Sequence, residues 1–311
     1  MRILFIIFLI ALIPLYSYAT NYVIEGDAIG QMQEYKPVKG DNLYSIARKF
    51  DLGSVELIAA NRGVTPKNLH TQQKIIIPTL YILPNVERKG IVINLSELRL
   101  YYFADDKNVL SFPIGIGKEG WRTPTGTAEI TLKRENPTWT PPESIRAANP
   151  DLPEFIPPGP KNPLGKYAMS LNLSGIAIHG TNKPSSIGSR ASHGCIRMYP
   201  EDIEMLFHAV SEGTTVNIID QNYKVGWMQN RLLMEITPTQ EQTDVIAKYM
   251  KTKPVDVPEV YEVLANFLGD ITHLDKTMIE DTIKAHSGVP IEVYAKNPAI
   301  EAITNLPLIH H

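Results

Sequence analysis

Three kinds of hydrophobic spacing follow one another along the chain, and each predicts a different architecture. Over residues 34–78, Tyr35-Lys36-Pro37-Val38 reads as a short strand. Leu43, Ile46, Ala47 and Phe50 recur at helical spacing behind a cap at Asp41 or Asn42, and Leu57, Ile58 and Asn61 mark a second short helix over 54–61. Lys74-Ile75-Ile76-Ile77-Pro78 is a strand stopped by proline. From Gly90 the spacing shortens, predicting strands over 91–95, 99–103, 109–114, 128–134, 175–178 and 215–219. One helix, over 198–213, opens on Pro200-Glu201-Asp202, and the proline-rich stretch 136–163 is expected to be irregular. Beyond Tyr223 the pattern weakens to strands over 232–236 and 291–294 and helices over 241–250, 258–268 and 276–285.

Ahead of all this, residues 1–19 carry Arg2 as their only charge, a long apolar run broken by Pro14, and the small residues of Ser17-Tyr18-Ala19. The expectation is an export signal removed before Thr20, with an uncleaved anchor as the rival reading. A fraction of 43% hydrophobic and 20% charged residues describes a chain that buries a core. A net charge of -3 without a basic, aromatic-studded stripe gives no reason to expect nucleic acid as a partner. Gly115, Gly117 and Gly120 lack the Lys-Ser/Thr of a phosphate loop and read as turn positions.

Candidate chemistry concentrates at HGTNKPSSIGSRASHGCIR, residues 179–197, which holds Cys195, the single cysteine of the chain. One thiol closes no internal disulfide, so in an exported protein it is either an inert small hydrophobe or a reactive group. Its neighbours favour the second. His179 and His193 are bases that could take the thiol proton, Gly194 and Cys195 offer successive N–H groups to a developing oxyanion, and Arg197 is a fixed cation that favours a thiolate and could clamp a carboxylate. The remaining histidines, among them His273, His286, His310 and His311, lack metal-ligand spacing, and neither metal nor cofactor is expected.

HGT followed by SHGCIR closely resembles the active-site signature of the YkuD-type L,D-transpeptidases, which remodel bacterial peptidoglycan. The resemblance implies Cys195 as nucleophile, His179 as general base and acid, and His193 as support for oxyanion and thiolate. It places Gly194 in the oxyanion turn, Arg197 at the substrate side, and a backbone carbonyl, nearest at Gly180, as the partner of His179. Thr123-Pro124-Thr125-Gly126 resembles the family's TPTG element, and loops at 136–139 and 162–165 resemble those bordering the cleft, with Trp139 a candidate substrate contact. The implied fold is a mainly β catalytic domain, of sandwich or barrel-like type, over 88–220. Gly40-Asp41, Leu43, Ile46-Ala47, Asn61 and Ile77-Pro78 resemble a LysM module, a small α/β glycan-binding unit over 34–78. A mixed α/β C-terminal region over 223–311 has no implied role.

The implied reaction is acyl transfer from a tetrapeptide stem with release of D-alanine, in the periplasm or otherwise outside the cytoplasm. A neighbouring stem as acceptor gives a 3-3 crosslink, an envelope protein gives a tether, and water gives hydrolysis. Two other classes stay open: a non-catalytic wall-binding protein, and a cysteine peptidase. The peptidase reading is weakened because His179 precedes Cys195 in the chain, whereas a papain-like enzyme has its cysteine first.

Overall fold

The computed structural model describes residues 20–72, 74–250 and 259–293. The expected export signal lies outside them, as do Pro258, Tyr294, His310 and His311. Strands β1 (Thr20–Glu25) and β2 (Ala28–Gly30) precede the small module, which comprises β3 (Gln33–Tyr35), α1 (Leu43–Lys49), α2 (Ser54–Ala60) and β4 (Ile75–Ile77); β5 (Leu80–Ile82) follows. The strand expected over 35–38 lies earlier, because Pro37 has no N–H to give a ladder, and Asp41 instead ties the turn by accepting from the Val38 N–H at 2.8 Å. Asn42 caps α1, its Oδ1 accepting from the Ser45 N–H at 3.0 Å. Asn61 is structural: its Oδ1 accepts from the Ile76 N–H (2.7 Å) and its Nδ2 donates to the carbonyls of Leu57 (2.9 Å) and Ile76 (2.7 Å), clamping α2 to β4.

The following stretch contains β6 (Gly90–Asn94), β7 (Arg99–Phe103), β8 (Asn108–Gly117), β9 (Gly126–Glu135), α3 (Glu143–Ala148), β10 (Tyr167–Leu171), β11 (Ala177–His179), β12 (Arg190–Ser192), β13 (Ile196–Met198), α4 (Pro200–Ala209) and β14 (Thr215–Ile219), whose strands join one large sheet. Its order β13-β11-β10-β9-β14-β6-β7-β8 returns to β13 through the β8–β13 pair, so eight strands close into a barrel without a free edge. The helix expected over 198–213 is shorter, since Met198 stays in β13 and Val210 is extended. The proline-rich stretch is irregular apart from α3, none of whose residues is buried.

Two strands from before the small module extend the same sheet. β1 pairs antiparallel with β8, and β2 pairs with both β1 and β5. The module is therefore an insertion between paired strands β2 and β5 rather than a bead on a linker, and the sheet begins well before residue 88. One apolar cluster runs through Leu43, Ile46 and Leu57 of the module and Ile93, Leu100 and Ile196 of the barrel.

The C-terminal region builds a second sheet from β15 (Tyr223–Met228), β16 (Arg231–Ile236) and β17 (Ile291–Glu292), covered by α6 (Glu259–Leu268) and α7 (Lys276–Ala285), with its own apolar cluster around Leu232, Met234, Leu264 and Ile279, while α5 (Gln240–Tyr249) packs on α2 and β12 and puts Ile246 into the first cluster. Fully buried Lys224 joins it to the barrel, salt-bridged to Glu97 and, at 3.1 Å, to Glu235. Among the described residues no helix is long and apolar enough to cross a membrane.

The joint between module and barrel is polar where it is most enclosed. Buried Arg99 donates to Glu56 Oε2 (3.0 Å) and to the Asp51 carbonyl (3.1 Å), while Arg48 makes a two-pronged contact with Glu201 at 2.8 Å. Asp51 and Asp202 are also buried there, and burial together with the charge of Asp51 disfavours ionising Asp202, so they cannot both ionise. Burial, opposed by Arg99, pushes the Asp51 carboxyl up to about 7. From its unfolded value near ~4 up to about 7, the folded chain keeps a proton that the unfolded chain has lost, and stability falls as pH rises through that window. Asp51 has φ 54°, a conformation asparagine tolerates. Asp51→Asn should therefore raise the melting temperature at pH ~8 by on the order of several degrees, with the gain shrinking toward pH ~4.5. A calorimetric difference independent of pH would contradict this account.

Candidate active site

The candidate residues meet across two strands of three residues each. β11 and β13 run parallel with Ile178 opposite Ile196 and His179 opposite Arg197. Side chains alternate across a strand, so Ile178 and Ile196 both turn into the apolar core and are fully buried. His179, Cys195 and Arg197, at alternate positions, share the opposite face. β13 is held on its other side by β8, where Arg197 pairs with Gly115 and Met198 with Ile114. The sheet thus brings a thiol, an imidazole and a guanidinium to one surface from residues at most eighteen apart in sequence.

His179 is buried, and its Nδ1 lies 2.6 Å from the carbonyl oxygen of Gly180. That carbonyl can only accept, so Nδ1 carries the proton and Nε2 presents a free lone pair. Burial pulls the imidazole pKa down to about 4, a shift aided by Arg197 and opposed by the bond to Gly180. Burial likewise pushes the Cys195 thiol up, against the Ala177 N–H and the Arg197 charge, both of which favour the thiolate. The resting pair is neutral thiol and neutral imidazole. Sγ lies 3.4 Å from the Gly175 carbonyl, an acceptor for the thiol hydrogen. Arg197 is partly exposed, and its Nε is enclosed without a hydrogen-bond partner among the described residues.

The turn carrying Cys195 is tied from inside. Ser192 Oγ donates to the Cys195 carbonyl (2.5 Å) and accepts from the Gly194 N–H (3.1 Å). This corrects one expectation: the Gly194 N–H is occupied within the turn and is not free for an oxyanion. Gly194 has φ +103°, left-handed space that suits glycine. Thr123, in the TPTG element, bridges outward, accepting from the Gly117 N–H (3.0 Å) and donating to the Gly194 carbonyl (2.8 Å).

His193 makes contact with an aromatic ring. It is exposed, its ring meets that of Trp121 edge-on at 4.9 Å, and it makes no hydrogen bond among the described residues. Partial burial lowers its pKa, with Lys118 and Arg197 acting in the same direction. Trp139 is half-buried, and its backbone bridges Ile156 at 2.9 and 2.8 Å. That bridge pins the irregular loop, as do the bonds from Asn162 Nδ2 to the Pro137, Ile156 and Pro157 carbonyls. The loop and the segment after His179 border an open pocket of about 280 Å³ lined by Asn162, Lys166, Thr181 and Asn182. The aromatic side chain in contact with the motif is Trp121, which sequence reading missed because only folding brings 121 to 193. Ser192 and Thr123 were inside the recognised motifs, and only their loop-closing bonds were not legible.

The small module reaches this site. The Val55 N–H donates to the Gly188 carbonyl (3.2 Å), and Ser54 Oγ donates to that of Ile187 (3.2 Å). Gly53 and Gly188 pack so closely that a Cβ on Gly188 would lie 2.2 Å from the Gly53 Cα. His273 contacts Asp270 at 3.5 Å, and among the described residues no group of three or more His, Cys, Asp and Glu is placed to hold a metal ion.

The family model of the L,D-transpeptidase catalytic domain, YkuD, matches residues 88–218, and that of the LysM domain matches residues 35–78. The chain is similar to Probable L,D-transpeptidase YcfS of Escherichia coli K12, 38% identical over 269 residues covering 82% of this chain and 81% of that protein. It is also similar to Probable L,D-transpeptidase ErfK/SrfK of Salmonella typhimurium, 33% identical over 307 residues covering 94% of this chain and 97% of that protein. Among solved structures, the catalytic domain from the Enterococcus faecium L,D-transpeptidase aligns at 26% identity over 44% of this chain and 100% of that chain, with a TM-score of 0.34.

The electrostatics yield a test that needs no substrate. The rate of Cys195 alkylation by iodoacetamide should titrate with a midpoint above the ordinary thiol value of ~8.5. Arg197→Gln, by removing the cation that favours the thiolate, should move that midpoint further up. A midpoint near 7, as a preformed thiolate–imidazolium pair would give, is the contrary result.

Proposed function

Since the chain belongs to the L,D-transpeptidases, a family of transpeptidase enzymes, we propose that Cys195 is its nucleophile and that the donor is a peptidoglycan tetrapeptide stem. The observation that carries the assignment of roles is the shared face of β11 and β13. It gathers a thiol, an imidazole with Nε2 free to accept, and a guanidinium with an unpartnered Nε.

Cys195 Sγ attacks the carbonyl carbon of the third stem residue as its proton passes to His179 Nε2. The transient imidazolium is stabilised by the Gly180 carbonyl at Nδ1. Negative charge develops on the former carbonyl oxygen, and with the Gly194 N–H occupied, the Cys195 N–H is the backbone donor we assign to it. Collapse breaks the C–N bond, His179 returns its proton to the leaving amine, and D-alanine departs from a thioester. The acceptor is the side-chain amine of the diamino acid in a neighbouring stem. It attacks the thioester, gives its proton to His179, and leaves a 3-3 crosslink and a regenerated thiol. Arg197 holds a stem carboxylate, and His193 with Trp121 forms the outer wall of the donor side. Trp139 acts through its place in the pinned loop.

The LysM module contributes glycan binding, and the apolar start of the chain directs the protein outside the cytoplasm, where this substrate lies. An envelope protein is the alternative acceptor, differing only in the amine offered to the thioester.

Mass spectrometry of the protein incubated with tetrapeptide muropeptides, with Cys195→Ala as control, tests the proposal. D-Alanine release and a crosslinked dimer should both appear with wild type and fall to background with Cys195→Ala, while glycan binding by residues 34–78 persists. Release without a dimer would point to water or a protein as acceptor, and no release would remove the enzymatic assignment of Cys195. The acid limb of kcat/KM should lie near pH ~4, where His179 becomes protonated, and not near ~6.5.

A further inference from the structure

Arg190 is a fully buried cation next to the nucleophile turn whose interactions lead away from the chemistry. Its Nε donates to the Gly117 carbonyl (3.3 Å), and its Nη1 donates to the Gln240 carbonyl (3.0 Å) and to Asp244 Oδ2 (2.7 Å). Gln240 and Asp244 both belong to α5 of the C-terminal region, which packs on β12 and on α2 of the LysM module. The Arg190 side chain is 1% exposed and that of Asp244 40% exposed, so the buried charge depends on a partner that reaches it from the surface of another subdomain.

Two routes run from Arg190 to Cys195. Through Gly117 the path is backbone and one hydroxyl: the Gly117 N–H donates to Thr123 Oγ1, which donates to the Gly194 carbonyl beside the nucleophile. Along its own strand, Arg190 leads within two residues to Ser192, whose hydroxyl closes the turn onto the Cys195 carbonyl and the Gly194 N–H. A third contact joins the same helix to the segment before Thr123, where Arg122 pairs with Glu241 at 2.8 Å. β12 is only three residues long and joins β8 by a shifted, irregular register, so the ladder alone does little to place it.

We propose that α5 is a brace for the nucleophile turn, and that Arg190, held by Asp244, is a positioning residue for the acyl-transfer reaction. The C-terminal region thereby gains a role that it lacked in the sequence: it completes the active site without touching substrate. The inference rests on the transpeptidase reading for its activity readout but not for its geometry. A buried guanidinium has several rigid donors, and losing the Asp244 carboxylate frees one of them to seek another acceptor, pulling on both routes at once.

The full chain is assayed as Asp244→Ala and Arg190→Lys, with Asp244→Glu as the restoring variant. D-Alanine release from tetrapeptide muropeptides gives kcat and KM, iodoacetamide alkylation of Cys195 across pH gives the thiol profile, and thermal melting reports folding. In Asp244→Ala and Arg190→Lys, kcat should fall by about tenfold or more with KM within about twofold. The thiol profile should be displaced, the melting midpoint of Asp244→Ala should hold within a few degrees, and Asp244→Glu should recover most of the rate. Should Arg190→Lys fail to fold, Asp244→Ala decides alone. A folded Asp244→Ala whose kcat and alkylation profile both match the wild type overturns the brace. If the wild type releases no D-alanine, the reaction assignment fails separately; a displaced profile in Asp244→Ala would still support the brace, and an unchanged one would refute it.

Discussion

The parallel pairing of β11 with β13 sets the phase of every group in the site. With side chains alternating, a slip of one residue between these strands would carry Cys195 and Arg197 into the core and bring Ile196 out beside His179. Strands of three residues cannot hold a register by their own ladders. It is imposed from the flanks, by β10 against β11 (Ala168 opposite His179) and by β8 against β13 (Arg197 opposite Gly115), and by the burial of Ile178 and Ile196. Barrel closure is thus part of the chemistry, since β13 is the strand through which the circle closes.

Burial then sets the resting state. The enclosure that locks His179 onto the Gly180 carbonyl also disfavours its charged form, and the same enclosure disfavours the thiolate. On the function proposed, the charge separation needed for attack would be deferred until a substrate brought an electrophilic carbonyl and a carboxylate to the surface where Arg197 lies. A neutral pair is less exposed to oxidation and stray alkylation than a preformed thiolate. The same reasoning covers the interior cations. Arg99, Arg190 and Lys224 each lie at a seam between two parts of the chain and each is matched by a carboxylate from across the seam, Glu56, Asp244 and Glu97 respectively. Apolar contacts would join these parts without directional preference, whereas a buried cation tolerates only the docking that delivers its partner.

The sequence made legible what depends on local pattern and on motif. Leu43, Ile46 and Ala47 announce α1, the alternation over 91–103 announces β6 and β7, and HGT with SHGCIR identifies the candidate nucleophile and base. Less legible were elements that exist only because a neighbour is present. β12 and β13 lie in a stretch rich in Gly, Ser and His with no strand propensity of its own, and they become strands by pairing with β8 and β11. β1 could not be tied to β8 from a pattern, because nothing local says that residues 20–25 join a sheet whose next strand lies past an inserted domain. The same holds for Trp121 against His193 and for α5 against Arg190. The Gly194 N–H was misjudged because an adjacent serine consumed it, a local competition that the motif alone does not display.

The insertion of the LysM module between paired strands changes what such a module can contribute. On a flexible linker it would raise the local concentration of substrate, with the site free to sample many stems. Here its chain enters from β2 and returns into β5, its α2 leans on Ile187 and Gly188, and its α1 is clamped by Glu201 at the start of α4. Two glycines in van der Waals contact leave no slack at that seam. A glycan strand bound by the module would therefore present its stems to Cys195 at a fixed offset and orientation. On the function proposed, such a module would be better suited to selecting a stem than to gathering substrate.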